Sequence, residues 1–261
     1  MLLREEVVMN NAINEAFILP SKGQMYDTVF EPRVVLRSMS TMEELQRNSS
    51  LSDEYKTLCD IIEACMLNKK DIPVSVYDMC IGDFQYLLYM LRTVTWGAEY
   101  KMICKCPNCG ESVPFTVKLD EIEVHEFDEH TYDNAEITLP VSKKKIRLAF
   151  QTPRILDTIS SRAKEMKLKQ KQKGVTILDY ESLYTAMYFI DSIDGKHYDD
   201  VTVEKFVREL SLKDFYEIIK KGDELNRKVG LDSSVIAKCT NCDYDIVTPF
   251  CLTSEFFVPT L

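Results

Sequence analysis

Two short cysteine turns constrain this chain more than anything else in it. They are Cys106-Pro107-Asn108-Cys109-Gly110 and Cys239-Thr240-Asn241-Cys242-Asp243, set 133 residues apart. Each follows an apolar and basic run and precedes a strand-like stretch, Ser112 to Leu119 in one case and Tyr244 to Phe250 in the other. Two Cys-x-x-Cys turns offer four thiolates, the donor set of a closed tetrahedral zinc site, and such sites are structural. The 129 residues between the turns are too many for a self-contained zinc ribbon. The site is therefore expected to clasp distant parts of the chain, with Cys106, Cys109, Cys239 and Cys242 holding one zinc ion per chain. Cys104, two residues before Cys106 on the same face of the incoming strand, is a reserve ligand. The competing reading is four reduced cysteines at a lost ancestral site. Structural zinc contributes folding energy directly, so removing it is expected to separate or unfold the parts it joins.

The wide spacing has an explanation if the chain repeats itself. Leu19-Pro20-Ser21-Lys22-Gly23 opens a turn before the strand-like run Arg33 to Arg37, and Ser40-Thr41-Met42-Glu43 reads as a capping box opening a helix. Leu139-Pro140-Val141-Ser142 precedes a second strand-like run, Lys145 to Phe150, and Thr152-Pro153 opens another helix with proline at its favoured first position. Helical apolar spacing follows in both parts, from Tyr55 to Met66 and from Leu183 to Ile190. Short polar connections come next, Asn68 to Asp71 and Asp191 to Gly195, and then helices opening at Asp83 and Asp214. Each part ends in a cysteine turn and a strand. Offsets of 120 at Leu-Pro, 131 at the aspartates and 133 at the cysteines suit an old duplication with loop insertions.

The expected fold is α+β in two related halves joined by a structural zinc site. Residues 1–18 form an arm and 19–120 the first repeat. An acidic connector covers 121–137, 138–252 form the second repeat, and 253–261 make an apolar tail. The connector carries no lysine or arginine from Asp120 to His130 and reads as solvated, although Ile122, Val124 and Phe127 could instead form an edge strand. Arg162 to Lys173 has the opposite bias, with Lys164, Lys167, Lys169 and Lys171. It is either the exposed end of the helix running from Pro153 or an electrostatic docking patch.

The chain's 261 residues allow one large domain or two modest ones, and a formal net charge of -10 argues against general nucleic-acid binding. No apolar run approaches the roughly 18 residues of a membrane span. Met1-Leu2-Leu3-Arg4-Glu5-Glu6 lacks the features of a signal peptide. Nine cysteines, an odd number, in a chain of this kind read as reduced thiols and metal ligands. Cys59, Cys65, Cys80 and Cys251 fit apolar core positions. His125, His130 and His197 match no metalloprotease pattern, and no nucleophile-elbow or phosphate-loop motif occurs. No catalytic residues are expected. Trp96, Tyr100, Phe256 and Phe257 are candidate partner-binding residues. For Trp96 and Tyr100 the alternative is packing over the first cysteine turn, with Gly97 as a helix cap. The tail containing Phe256 and Phe257 docks either on its own core or on a neighbouring subunit.

Several of these residues, in this order, carry a family resemblance. Leu19 to Gly23 with Tyr26, Asp83 with Leu87, Leu88 and Arg92, Gly97-x-Glu99-Tyr100, and the Cys106/Cys109 turn resemble the T4-type bacteriophage baseplate proteins linked to the central hub and its assembly. The resemblance spans about residues 15 to 120. It implies a non-enzymatic component or assembly factor of a contractile-tail baseplate, made in the bacterial cytoplasm. It also implies other baseplate or tail proteins as partners, and offers no catalytic residues to carry over. The alternative function is a zinc-ribbon nucleic-acid-binding or transcription-related phage protein. That would need a basic face at the turns, where only Lys101, Lys105, Lys118 and Lys238 lie close.

Overall fold

The computed structural model describes residues 14–48, 53–176, 178–232, 234–249 and 256. The chain is α+β, with small antiparallel sheets and seven α-helices among the described residues. Strands β1 (Asn14–Ile18) and β2 (Arg33–Arg37) pair antiparallel across a turn opened by Leu19, whose N–H donates to the Pro32 carbonyl. The Lys22 N–H returns to the Leu19 carbonyl, with Lys22 at φ 53° and Gly23 at φ 67°. A Cβ at Gly23 would sit 2.4 Å from the Phe30 carbonyl oxygen, so glycine is required there.

The expected capping box is present. Ser40 and Glu43 satisfy each other's backbone N–H groups at the start of α1 (Thr41–Arg47), and Arg37 holds the Glu43 carboxylate at 2.8 Å. Helix α2 (Glu54–Cys65) buries Cys59, Ile61, Ile62 and Cys65. Two 3₁₀ turns, Lys69–Asp71 and Val76–Asp78, lead to α3 (Ile81–Trp96), which ends on Gly97 at φ 86° with its N–H on the Thr93 carbonyl. A hairpin of β3 (Glu99–Lys105) and β4 (Ser112–Lys118) carries the first cysteine turn.

The connector is more structured than its charge suggests. Val124–His125 forms β5, Ile122 packs on the first core, and the Phe127 N–H donates to the Pro20 carbonyl at 2.8 Å. Ile122 and Phe127 are half-buried, whereas Val124 is exposed like the surrounding carboxylates. Strands β6 (Glu136–Thr138) and β7 (Lys145–Leu148) pair across the Leu139-Pro140 turn, with Lys143 at φ 59°. Helix α4 (Pro153–Lys173) is capped by Thr152, and its lysines 164, 167, 169 and 171 lie on the exposed end. Helix α5 (Glu181–Tyr188) follows. Ile190, expected to end that helix, and residues 191 to 193, expected to open a polar connection, instead form strand β8 (Ile190–Ile193) against β7. Ser192 and Ile193 are buried in that pairing, so the strand is decided by its neighbour rather than by composition.

Helix α6 (Asp200–Glu209) was not visible in the sequence pattern; only Val203 and Val207 are buried on it. Arg162 of α4 holds it through Asp200 and Glu204, each at 2.8 Å, and stacks on Tyr184. Helix α7 (Leu212–Asn226) leads to β9 (Gly230–Leu231), which pairs with β5. A final hairpin of β10 (Ser234–Lys238) and β11 (Asp245–Pro249) carries the second cysteine turn.

One contact recurs. Asp83, in the first turn of α3, accepts from the Ser21 N–H at 2.9 Å, from the Ser21 hydroxyl and from Tyr26 OH at 2.6 Å. Asp214, in the first turn of α7, accepts from the N–H groups of Val141 and Ser142 at 2.8 and 2.9 Å. Each carboxylate ties a Leu-Pro turn to the start of a long helix. Burial pushes the Asp83 carboxyl above its ordinary range. Burial acts the same way on Asp214, but its backbone donors outweigh it and the net shift is downward.

The two parts of the chain have separate cores, one around Phe84, Leu87 and Leu91 and one around Tyr184, Phe189 and Ile218. They also grip each other away from the cysteines. Helix α2 has no side-chain cap of its own, because Asp53 makes no capping hydrogen bond. Asp157 of α4 takes that role, accepting from the Tyr55 and Lys56 N–H groups at 3.2 and 2.8 Å and from Tyr77 OH at 3.1 Å. Arg154 pairs with Asp78 at 2.6 Å, and the Ile81 N–H donates to the Gln151 carbonyl. The two parts are therefore joined at places other than the cysteine turns as well.

Replacing Asp157 with alanine leaves buried N–H and O–H donors without partners, at a cost of about 1–3 kcal/mol. Thermal unfolding should shift down by roughly 2–4 °C for each kcal/mol. Asp157→Asn, which keeps one acceptor, should lose less. Equal melting of Asp157→Ala and the unmodified protein would remove this cap from the account.

Candidate metal centre

The two cysteine turns are built alike, residue for residue. In the first, the Cys106 N–H donates to the Glu111 carbonyl at 2.8 Å and the Gly110 N–H to the Cys106 carbonyl at 2.9 Å. In the second, the Cys239 N–H donates to the Tyr244 carbonyl at 2.9 Å and the Asp243 N–H to the Cys239 carbonyl at 3.0 Å. Gly110 and Asp243 both sit in the left-handed region, at φ 77° and 54°. Aspartate is among the few side chains that tolerate it. Every one of these pairs is separated by 133 positions.

The hairpins meet through their cysteines. Cys106 and Cys242 sulfurs are 3.7 Å apart, and Cys109 and Cys239 sulfurs are 3.6 Å apart. These two distances exchange when the turns are exchanged, as a local twofold axis requires. All four sulfurs lie within 4.8 Å of one another, and among the described residues this is the group of cysteine, histidine and carboxylate ligands able to hold a metal ion. Beneath them Val113, Ala237 and Ile246 form a small buried core with Cys106 and Cys239.

Four thiols this close cannot all ionise unaided, because each thiolate opposes the next. The Asn108 side-chain amide, with the Tyr244 N–H behind it, pulls the Cys242 thiol down to about 6. The Asn241 N–H favours the Cys239 thiolate, but burial and sharing with Cys242 and Cys109 outweigh it and push that thiol up to about 11. A cation among the sulfurs would remove this conflict, since metal ligation takes the thiolate forms.

The remaining expected site residues fall elsewhere. Cys104 lies on the inward face of β3, but its sulfur points to the Val113 carbonyl at 3.8 Å and stands outside the four-sulfur group. Its counterpart across the axis is Ala237, which offers no ligand. Tyr100 packs on the first core rather than over the cysteine turn, with its ring 5.5 Å from that of Phe256. Phe256 is 1% exposed, and its carbonyl accepts from the buried Arg92 guanidinium at 3.0 Å. It docks on its own chain and presents no free face. Trp96 is half exposed. Phe257 and Cys251 lie outside the described residues.

Asn108 was not singled out in the sequence. Its side-chain amide reaches across to Cys242, with Nδ2 and Sγ 3.5 Å apart. The signal available was the asparagine at the third position of both turns. None of the three histidines approaches the cysteines: His130 faces Asp133, and His197 faces the Asp191 carbonyl. No helix of the described residues is long and apolar enough to cross a membrane.

These features define an α+β protein organised around a four-cysteine cluster between two hairpins, with its polar contacts directed to holding elements together. A family model described as T4 bacteriophage base plate protein matches residues 13–258, and the chain belongs to that family. Membership supports a structural role in the phage baseplate and implies other phage tail proteins as partners. No curated protein and no solved structure gave a match.

Replacing Cys109 with serine should lower bound metal in purified reduced protein, whereas Cys104→Ser should leave metal content unchanged. Elemental analysis of the two variants decides between them. Equal loss would place Cys104 among the ligands.

Proposed function

We propose that this protein is a non-enzymatic component or assembly factor of the baseplate hub, built from two duplicated halves that a structural zinc ion holds in register. The observation that carries this reading is the exchange-symmetric set of four sulfurs. Four sulfurs placed tetrahedrally at the ~2.3 Å of a zinc–thiolate bond are about 3.8 Å apart; two pairs across the turns stand at 3.7 and 3.6 Å, and all four sulfurs lie within 4.8 Å of one another. Cys106, Cys109, Cys239 and Cys242 fill a tetrahedral shell and leave no open position for a substrate or water. Such a closed site supports architecture rather than catalysis.

The duplication is supported by more than the cysteines. Both parts run strand, Leu-Pro turn, strand, and then helices. The chain leaving α2 bridges back to β2 at Met66 and Leu36, as β8 returns to β7 after α5. The aspartates of α3 and α7 each hold their own Leu-Pro turn. Gly97 and Gly230, 133 positions apart, both carry positive φ before a hairpin. The repeats we assign are 19–120 and 138–252, with an arm at 1–18, a connector at 121–137 and a tail at 253–261. Partner contacts would use exposed apolar positions such as Trp96, with assembly in the host cytoplasm.

Purified reduced protein should contain about one zinc per chain, as a four-thiolate site demands. Peptides of the protein should be found in purified virions by mass spectrometry if it stays in the hub, and only in infected-cell extracts if it acts during assembly. Metal-free protein would sink the clasp. Salt-dependent DNA binding would favour a nucleic-acid-binding role instead.

A further inference from the structure

The centre is symmetric in its backbone but not in its side chains. Asn108 and Asn241 occupy the same position in the two turns. Asn108 places its amide 3.5 Å from the Cys242 sulfur, bridging from the first turn to the second. Exchange symmetry would have Asn241 do the same for Cys109. Among the described residues no such hydrogen bond joins them, and Cys109 is exposed. Cys106 and Cys239 are 1% and 0% exposed, and Cys242 is half-buried under the Asn108 amide.

Resting on the reading of these cysteines as a metal centre, we infer that the site opens from one side only. Asn108 is a positioning residue that secures the Cys242 sulfur, and Cys109 is the ligand through which metal is exchanged. A side-chain N–H donated to a sulfur fixes its position and covers it from solvent. Cys242 has that donor and two of its companions are buried. Solvent and competing ligands reach the Cys109 sulfur first. Outer-shell partners of this kind change metal affinity by about 10–100-fold, which sets the size of the expected effect.

The test uses the full chain loaded with zinc. Under a limiting chelator with iodoacetamide present, peptide mass spectrometry should find Cys109 alkylated before the other three ligands. Asn108→Ala should release zinc about 10-fold faster, with Cys242 joining Cys109 among the early alkylated residues. Asn241→Ala should behave like the unmodified protein. Simultaneous labelling of all four cysteines in unmodified protein would overturn the inference without recourse to any variant. So would equal acceleration by Asn108→Ala and Asn241→Ala. Protein that never retains zinc would instead overturn the reading of the centre itself, and elemental analysis before labelling separates that outcome from the others.

Discussion

Bringing four cysteine sulfurs within 4.8 Å of one another is the constraint on which the meeting of the two hairpins depends. Thiolates at that distance repel, and thiols offer each other only weak hydrogen bonds. Neither state explains why two hairpins 133 positions apart should turn the same residues toward the same point. A divalent cation, as proposed above, would do so, because it would convert the repulsion into four bonds. The hairpins themselves are two-stranded, a size that is marginal alone, and the core beneath the cysteines is small. The sulfur cluster therefore has most to stabilise where the apolar packing is weakest.

Elsewhere the polypeptide is joined by contacts that need no metal. Asp157 caps a helix in the other part of the chain, Arg154 pairs with Asp78, and β5 pairs with β9. Gly82 lies so close to the backbone at Val229 and Gly230 that any side chain would collide. Apart from the β5–β9 pair, which directly precedes the second hairpin, these contacts sit at the starts of α2 and α3. The cysteine cluster and the helix contacts thus act at different places, one holding the two hairpins together and the other holding the helical layers. Under the proposed duplication, the hairpins preserve a strict 133-residue offset while the helical regions drift. Metal geometry tolerates no insertion, whereas loops between helices do.

What could be read from sequence was local. The capping box at Ser40, Thr152-Pro153 at the start of α4, Gly97 at the end of α3 and the cysteine turns all carry their structural reason within a few residues. The family resemblance, drawn from residues in the first half, extends over nearly the whole chain. What escaped was decided at a distance. Nothing near Asp157 marks it as the cap of a helix about a hundred positions upstream. Strand β9 is two residues long and exists only because it pairs with β5, which falls where the connector's apolar alternation allowed an edge strand. Local sequence does not choose between the chain's own core and a neighbour for Phe256, because the buried guanidinium that receives it is 164 positions away.

That last separation bears on how the protein is made. Arg92 is 2% exposed, and burial lowers the pKa of its guanidinium, so the first core contains a cation that depends on carbonyl acceptors. One acceptor, at Gly97, is present as soon as α3 forms. The other belongs to Phe256, which also lays its ring between Tyr89 and Tyr100. During synthesis the N-terminal core therefore lacks this acceptor and this ring until Phe256, 164 positions after Arg92, has left the ribosome.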